Sequence, residues 1–266
     1  KEICQSGGVH LDADTNVSKK SYKAALYAVG ATVMASNTRD FALVRPPGHH
    51  AHPDRSSGFC LFNNISIAVQ RLLRKGNRVL IFDFDSHLGD GTSKFFYKNK
   101  NVLYWSLHQY PAFPGWGSLD EIGEDEGKGY NINIPLSPGS GDDIYMRAVK
   151  KFLPAAKQFR PDVVAVSAGF DGHQSDLLLD LRLSMNTYYK LGKILKENFK
   201  NVFATLEGGY NVDVFPKCLE NFLDGMNGNE MKHEEKPTDT GILKIEEFEA
   251  NMYKLKKKLS DYWDLK

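Results

Sequence analysis

RVLIFDFDSHLGDGT, residues 78–92, begins as an apolar strand and ends in acidic and small residues. Residues 79–82 are apolar at consecutive positions, whereas a strand with one solvated face would alternate apolar and polar side chains. Burial on both faces is typical of a parallel sheet covered by helices. Asp83, Asp85 and His87 follow the apolar run, and open parallel sheets bind ligands at the carboxyl ends of their strands. The segment therefore predicts a doubly wound α/β fold with a functional site at the end of this strand.

Other apolar runs alternate with segments of helical periodicity along the chain. We expect strands at residues 41–44, 78–84, 102–107, 161–166 and 201–206. We expect helices at residues 19–35, 64–75, 142–159, 184–199 and 214–227. This alternation predicts an α/β single domain over residues 1–266, in which a doubly wound, mostly parallel sheet has helices on both faces.

The C-terminal part of the chain has a different pattern. Residues 228–240 are polar, carry charges of both signs and predict a flexible surface loop. Across residues 242–264, apolar side chains recur at three- and four-residue steps with Lys and Glu between them. This spacing is typical of an amphipathic helix. We interpret the helix as packing against the domain rather than as a partner-binding element.

The composition is that of an ordinary globular protein, with 41% hydrophobic and 25% charged residues. The formal net charge of +1 provides no global field that would attract nucleic acid or an anionic membrane. No apolar run reaches membrane-spanning length, and no signal peptide opens the sequence. Three widely spaced cysteines without a CxxC pair argue against a disulfide framework or a thiolate zinc site. We expect a reducing compartment, the cytoplasm, and no nucleic-acid or membrane partner.

Carboxylates cluster at two of the predicted strand ends. Like charges repel unless a cation or a proton lies between them. Asp85 and His87 form a natural pair of metal ligands, and Asp171, after the strand at 161–166, would complete an Asp–His–Asp set. Three protein ligands leave a position open for water, as catalytic zinc requires, and oxygen-rich ligation also suits Fe²⁺ or Mn²⁺. The residues alone leave open the alternative of a strand-end carboxylate and a helix N-cap without metal.

Two adjacent imidazoles follow a stiff turn in the sequence RPPGHH, residues 45–50. Histidine exchanges protons near neutral pH, and a rigid turn holds such groups in place at low entropic cost. His49 and His50 are candidates for acid–base catalysis, although surface or core histidines are the commoner outcome for such a pair. Tyr210, after the run at 201–206, offers either a hydroxyl donor or a packed ring.

Seven segments in order resemble the histone deacetylase superfamily, the zinc-dependent deacetylases with an arginase-like α/β fold. They are RPPGHHA (45–51), GFCLFNN (58–64), DFDSHLGDGT (83–92), SLH (106–108), FPGWG (113–117), SAGFD (167–171) and EGGYN (207–211). The resemblance extends over most of the chain, and the ordered set is highly specific. The opening strand and rim loop usual in the family have no counterpart before Lys1, so we expect either a fragment or a differently built pocket mouth.

The resemblance implies a role for each chemical group at the strand ends. The implied metal ligands are Asp85, His87 and Asp171. The implied catalytic residues are His49, His50, Tyr210, Asp83 and Asp90. Each histidine would pair with one aspartate, His49 with Asp83 and His50 with Asp90, which orients the rings and tunes their basicity. Tyr210 would hydrogen-bond the carbonyl of the scissile amide.

The resemblance also implies a narrow acyl-lysine tunnel and a second cation. The implied substrate-binding residues are Gly58, Phe59, Phe113, Leu178, Gly209 and Asp14. Phe59 and Phe113 would form the tunnel walls, and Asp14 or Asp12 would be the rim aspartate that binds substrate backbone. A potassium ion is implied beside Asp83, Asp85, His87, Ser106 and Leu107.

The expected activity is metal-dependent hydrolysis of an acetyl or small acyl amide. Zn²⁺ is the expected cofactor, with Fe²⁺ or another divalent ion as alternatives and K⁺ as a structural ion. Leu178 stands where polyamine-preferring relatives carry an acidic residue, which favours an acylated lysine peptide or protein over a small acetylated amine. Gly89 stands where two-metal arginases require an aspartate, which favours a single metal. A catalytically silent scaffold on the same fold is the alternative from another class.

Overall fold

A computed structural model of the chain describes residues 1–265. The strands are β1 (Val9–His10), β2 (Asn16–Val17), β3 (Phe41–Ala42), β4 (Val79–Asp83), β5 (Val102–Gln109), β6 (Asn131–Leu136), β7 (Val163–Ala168) and β8 (Val202–Leu206). The helices are α1 (Glu2–Ser6), α2 (Ser21–Thr38), α3 (Asn64–Leu73), α4 (Asp90–Phe96), α5 (Asp142–Phe159), α6 (Met185–Asn198), α7 (Phe215–Asn227) and α8 (Ile242–Leu259).

Six strands form the central sheet in the order β3-β8-β7-β4-β5-β6. All neighbouring pairs in this sheet are parallel. β1 and β2 form a separate antiparallel pair near the N-terminus. Because every strand of the sheet runs the same way, the segments that follow β3, β4, β7 and β8 meet at one edge, as the sequence predicts for a doubly wound sheet.

Side chains of β4 alternate between two hydrophobic cores. Leu80 and Phe82 pack into the core that contains residues of α5, α6, α7 and α8. Val79 and Ile81 pack into the opposite core, with residues of α2 and α3. Both faces of the strand are therefore buried, which explains the uninterrupted apolar run and confirms the predicted α/β class.

Two regular elements of the sheet region escaped prediction. β6 alternates Asn and Ile over residues 131–134 and lies at the edge of the sheet, so it lacks the continuous apolar run by which the other strands were recognised. α4 is only seven residues long, too short for a helical period to be apparent. The predicted strand at 41–44 is reduced to the two residues of β3.

The C-terminal segment packs closely against the domain. Residues 229–241 are irregular, as expected, but Thr238 and Thr240 are buried. Their hydroxyl oxygens accept hydrogen bonds from the backbone N–H groups of Asp142 and Gly141, at 3.0 and 2.8 Å. These N–H groups lie at the start of α5 and have no partner within the helix. The segment therefore caps α5, in contrast to the flexible loop that its polarity predicts.

The amphipathic pattern at 242–264 corresponds to α8, which ends at Leu259 rather than at residue 264. Met252 and Leu255 are among its fully buried side chains. Beyond the helix, the indole N–H of Trp263 donates to the carbonyl of Gly129 at 2.7 Å. Within residues 1–265, no helix is both long and apolar enough to cross a membrane.

Candidate active site

The chemical groups singled out in the sequence converge at the carboxyl edge of the sheet. Asp83 is the last residue of β4, and Asp85 and His87 follow it before α4 begins. Asp171 follows β7, and Tyr210 follows β8. The two histidines follow β3. Parallel strands thus bring together residues that are far apart in the sequence.

Asp85, His87 and Asp171 form a buried triangle. One potential ligand atom from each residue lies within 4.8 Å of the others. His87 Nδ1 is 2.7 Å from Asp171 Oδ2 and 3.3 Å from Asp85 Oδ1. Backbone N–H groups hold the carboxylates: Ser86 donates to Asp171 Oδ1 at 2.9 Å, and Gly208 donates to Asp85 Oδ2 at 2.7 Å.

The electrostatics of this triangle are those of a cation site. Burial and the charge of Asp85 raise the pKa of Asp171 to about 6. Burial alone would lower the pKa of His87, but its hydrogen bonds to Asp171 and Asp85 raise that pKa to about 10. A proton on His87 and a metal ion meet the same need, because either one neutralises the paired carboxylates.

The donor set and the surrounding backbone fit one divalent ion. Two carboxylates and one imidazole are the mixed oxygen and nitrogen donors that zinc or iron accepts, with coordination positions left for water and substrate. A Cβ atom on Gly208 would lie 2.6 Å from Asp85 Oδ2 and 2.7 Å from Asp171 Oδ2. Only glycine therefore allows the β8 loop to close over the triangle.

Each histidine of the tandem pair contacts its own aspartate. His49 Nδ1 is 3.3 Å from Asp83 Oδ2, and His50 Nδ1 is 2.9 Å from Asp90 Oδ1. The two rings lie side by side, with centroids 4.1 Å apart. Each ring thus uses Nδ1 toward its aspartate, and the other nitrogen of His49, Nε2, lies 3.9 Å from Asp85 Oδ1.

The two imidazoles have opposite shifts in pKa. Burial and the adjacent His49 lower the pKa of His50 to about 4. Burial opposes charge on His49 as well, but Asp85 and Asp83 outweigh it and raise the pKa of His49 well above its ordinary value. At neutral pH, the His50 ring is therefore uncharged, with a nitrogen lone pair available.

His52 is a neighbour of this site that the sequence analysis did not identify. Its Nε2 atom lies 2.6 Å from Asp90 Oδ2. Asp90 is therefore shared between two imidazoles, His50 and His52. The signal for it is the third histidine of HHAH, at residues 49–52.

Glu207 links the β8 loop to the histidine turn. Its Oε2 accepts from the N–H groups of Gly48 and His49 at 2.7 and 3.1 Å, and Ser167 Oγ donates to Oε1 at 3.0 Å. The side chain is fully buried, and burial raises its pKa to about 7. Glu207 is part of the EGGYN segment but not among the predicted site residues, although an acidic residue directly after a buried strand is a signal for an internal contact of this kind.

Tyr210 is held in a mostly buried environment beside the metal-ligand candidates. Its ring centroid is 5.9 Å from that of Phe59, and the Arg45 guanidinium lies 5.8 Å above the tyrosine ring. Arg45 Nη2 also donates to the carbonyl oxygen of Gly209 at 3.2 Å. Burial, together with the charges of Asp171 and Asp85, raises the pKa of Tyr210. The hydroxyl therefore keeps its proton at neutral pH and can donate a hydrogen bond.

Phe113 and Gly58 form one side of the approach to this centre. The Phe113 ring packs edge-on against His50 and His87, with centroids 5.0 and 6.4 Å apart. Gly58 has φ +51°, and a Cβ there would lie 2.7 Å from His50 Cδ2 and 3.0 Å from Phe113. A side chain at this position would therefore displace the catalytic imidazole candidate or the wall.

His108, in the predicted SLH segment, supports the loop that carries Phe113. Its Nε2 is 2.9 Å from the carbonyl oxygen of Gly117, and its Nδ1 is 2.9 Å from Ser106 Oγ. Burial lowers its pKa to about 4. A neutral ring can donate from Nε2 to that carbonyl while Nδ1 accepts from the serine hydroxyl.

The predicted rim residues are more exposed and less constrained. Phe59 and Leu178 are 39% and 48% exposed. The Asp14 carboxylate is exposed. Asp12 Oδ2, by contrast, accepts from the Gly58 N–H at 3.2 Å. Of the two aspartates considered for the rim, Asp12 holds the backbone at Gly58, and the side chain of Asp14 is exposed to solvent.

The residues predicted for potassium are also adjacent. The register of β4 and β5 places Asp83 beside Ser106. Ser106 and Leu107 are fully buried, as are Asp83 and Asp85. Buried oxygen donors from the end of β4 and the middle of β5 are of the kind that a hard monovalent cation accepts.

The chain is similar to several known proteins. A profile of the histone deacetylase domain matches residues 1–226. The "Probable deacetylase" of Archaeoglobus fulgidus is 34% identical, over 97% of this chain and 78% of its own length. The "Histone deacetylase-like amidohydrolase" of Pseudomonas aeruginosa is 34% identical, over 86% of this chain and 64% of its own. The crystal structure of the HDA15 HD domain superimposes with a TM-score of 0.88, at 30% identity, over 98% of this chain and 76% of that one.

Fold and site together thus define a class of protein. It is a doubly wound α/β domain in which histidine–aspartate pairs lie beside a buried Asp–His–Asp triangle. The chain belongs to the histone deacetylase family. Hydrolytic deacetylation of an amide is the class of reaction that these relatives support.

Proposed function

We propose that this protein is a zinc-dependent deacetylase that hydrolyses acetyl-lysine in a peptide or protein. The observation that carries the proposal is the convergence of the buried Asp–His–Asp triangle, the two His–Asp pairs and Tyr210 at one edge of the sheet. Asp85, His87 and Asp171 would hold the ion, which would supply electrophilic activation of the amide carbonyl and of a water molecule.

The chain's own groups move the proton and stabilise the developing charge. His50 is neutral at pH 7 and uses Nδ1 toward Asp90, so its Nε2 accepts the proton that the attacking water loses. Tyr210 donates its hydroxyl proton in a hydrogen bond to the carbonyl oxygen as negative charge develops there. The proton on His50 then passes to the leaving nitrogen, because an amine departs poorly as an anion. The products are acetate and a free amine.

The walls favour a straight, narrow substrate. Phe59 beside Tyr210, and Phe113 beside His50 and His87, offer aromatic surface to an alkyl chain. Leu178 at the rim offers no charge to a polyamine. These features support acyl-lysine over acetylpolyamine as the substrate. We further propose a structural K⁺ beside Asp83 and Ser106, since their strands are in register there.

Acetate release from an acetyl-lysine peptide and from N-acetylputrescine, with Zn²⁺ supplied and then chelated, tests the proposal. We expect chelator-sensitive release that is faster from the peptide. A His87→Ala variant is the matched control for metal-independent background. Faster acetate release from N-acetylputrescine would indicate that the substrate is a small acetylated amine rather than an acetyl-lysine peptide. No release from either substrate, together with no bound metal, would favour a silent scaffold.

A further inference from the structure

Asp176 connects two loops at the edge of the site. It lies outside the metal triangle and the His–Asp pairs, in the segment after β7, and is half-buried. Its Oδ2 accepts from the backbone N–H groups of Tyr210 and Asn211, at 2.8 and 3.1 Å. Its Oδ1 accepts from the N–H groups of Leu177 and Leu178, at 2.7 and 3.3 Å. One carboxylate thus binds four backbone donors from two separate loops.

A second bond runs parallel to this link. Asn211 Nδ2 donates to the carbonyl of Ser175 at 2.7 Å. Two sets of hydrogen bonds, one through Asp176 and one through Asn211, therefore join the rim segment 175–178 to the loop that carries Tyr210. We call these bonds the bridge. Hydrogen bonds to an ionised carboxylate are shorter and stronger than those between neutral groups, so the bridge restrains both loops.

Arg45 holds the same loop from the other side. It donates to the carbonyl of Gly209, and its guanidinium lies over the Tyr210 ring. The peptide group before Tyr210 is thus held by a cation at its carbonyl and by an anion at its N–H, and the same anion holds the N–H of the peptide group after it. With its backbone fixed on both flanks, the tyrosine has little freedom except rotation of its own side chain.

We propose that Asp176 is a positioning residue: it fixes the Tyr210 hydroxyl for catalysis through the backbone amide and couples it to the rim position Leu178. This inference rests on the proposed function, because the hydroxyl is assigned there to the amide carbonyl. The physical reason is that a misplacement of about 1 Å in a catalytic group can cost about a hundredfold in rate.

Asp176→Asn tests the role with little change in volume. The amide keeps one acceptor oxygen, so its NH₂ group must face one of the two pairs of N–H donors. We expect kcat to fall about tenfold to a hundredfold while KM changes less than about threefold, since the hydroxyl acts mainly in the transition state. Asp213→Asn is the matched control, because Asp213 is exposed in the same loop, and its kcat should equal that of the wild type.

A double-mutant cycle separates positioning from general destabilisation. If Asp176 acts through the Tyr210 hydroxyl, Asp176→Asn should lower kcat less than about twofold in a Tyr210→Phe background. An equal loss in both backgrounds would overturn the proposal, as would a wild-type kcat in Asp176→Asn. Thermal unfolding of all four proteins checks that they are folded under assay conditions.

Hydrogen exchange tests the bridge without any turnover. Amide exchange in residues 208–214 or in residues 177–178 should be faster in Asp176→Asn than in the wild type or in Asp213→Asn, because the pair of N–H groups that the amide NH₂ faces loses its acceptor. Unchanged exchange in both segments would overturn the bridge itself. A wild type that hydrolyses no acetylated amine, with exchange still accelerated in the variant, would overturn the proposed function and leave the bridge established.

Discussion

The floor and the rim of the candidate site are built in different ways. At the floor, Asp85 and Asp171 are fully buried, and each carboxylate accepts hydrogen bonds from backbone N–H groups. At the rim, Phe59, Phe113 and Leu178 are 39%, 45% and 48% exposed. The floor is fixed by strand ends and the rim by loops. The structure therefore constrains the catalytic groups more tightly than the groups that would contact substrate. Mutations at the floor should have large effects on turnover, and mutations at the rim should have small effects on substrate preference.

His87→Ala should have the largest effect, because it removes a donor from the buried triangle. We expect kcat/KM to fall by about a thousandfold or more, since metal activation contributes several kcal/mol to the transition state. Metal content should fall in parallel, measured by elemental analysis after dialysis. Asp213→Asn should retain both metal and activity. Near-normal activity in His87→Ala would show that the triangle is not the catalytic centre.

Tyr210→Phe removes only a hydroxyl and should have the next largest effect. We expect kcat to fall about a hundredfold with little change in KM, as for the loss of one donor to a developing oxyanion. Steady-state kinetics on an acetyl-lysine peptide provides both constants. Unchanged turnover would remove Tyr210 from the mechanism and leave it as a wall residue beside Phe59.

The floor was largely predictable because few physical rules determine it. Apolar runs at 79–82 and 163–166 identify buried parallel strands, and parallel strands place Asp85 and Asp171 at one edge. The rest of the site depends on contacts between distant loops. Asp176 binds amides 34 and 35 residues away, and Glu207 binds amides 159 and 158 residues away. No local periodicity encodes such contacts, so they cannot be predicted from the sequence pattern.

Glu207→Gln tests how ionisation of the buried Glu207 carboxyl changes the stability of the folded protein. The folded pKa is raised to about 7 from the ordinary value of 4.5, so the stabilising contribution is fully present below about pH 4.5 and is lost as the pH rises through about 7. A glutamine can keep the bonds to Gly48, His49 and Ser167 without ionising. We therefore expect the wild type to lose about 1–3 kcal/mol of stability relative to the variant between pH 5 and pH 8.

Thermal unfolding of both proteins across that pH range measures this difference. Asp213→Asn, in which an exposed carboxylate is neutralised, should show no such pH-dependent difference from the wild type. A constant difference between Glu207→Gln and the wild type would mean that Glu207 stays ionised, held by the backbone donors that surround it.

Leu178→Glu should have the smallest effect, and it concerns which substrate is preferred rather than how fast bonds break. An acidic side chain at this exposed position would attract the distal ammonium group of N-acetylputrescine. Because exposed ion pairs contribute only about 0.2–1 kcal/mol, we expect kcat/KM for N-acetylputrescine relative to an acetyl-lysine peptide to rise at most about fivefold. The gain should shrink at high ionic strength, where such a pair is screened.

Leu177→Glu provides the matched control, because it adds the same charge one residue away at a side chain that is 72% exposed. If both variants shift the substrate preference equally, the cause is the added negative charge near the rim, and the position of Leu178 has no special role. If only Leu178→Glu shifts it, a single rim side chain selects the substrate above an unchanged floor. The ratio of the two shifts in substrate preference therefore measures how strongly the effect of an acidic side chain depends on its position at the rim.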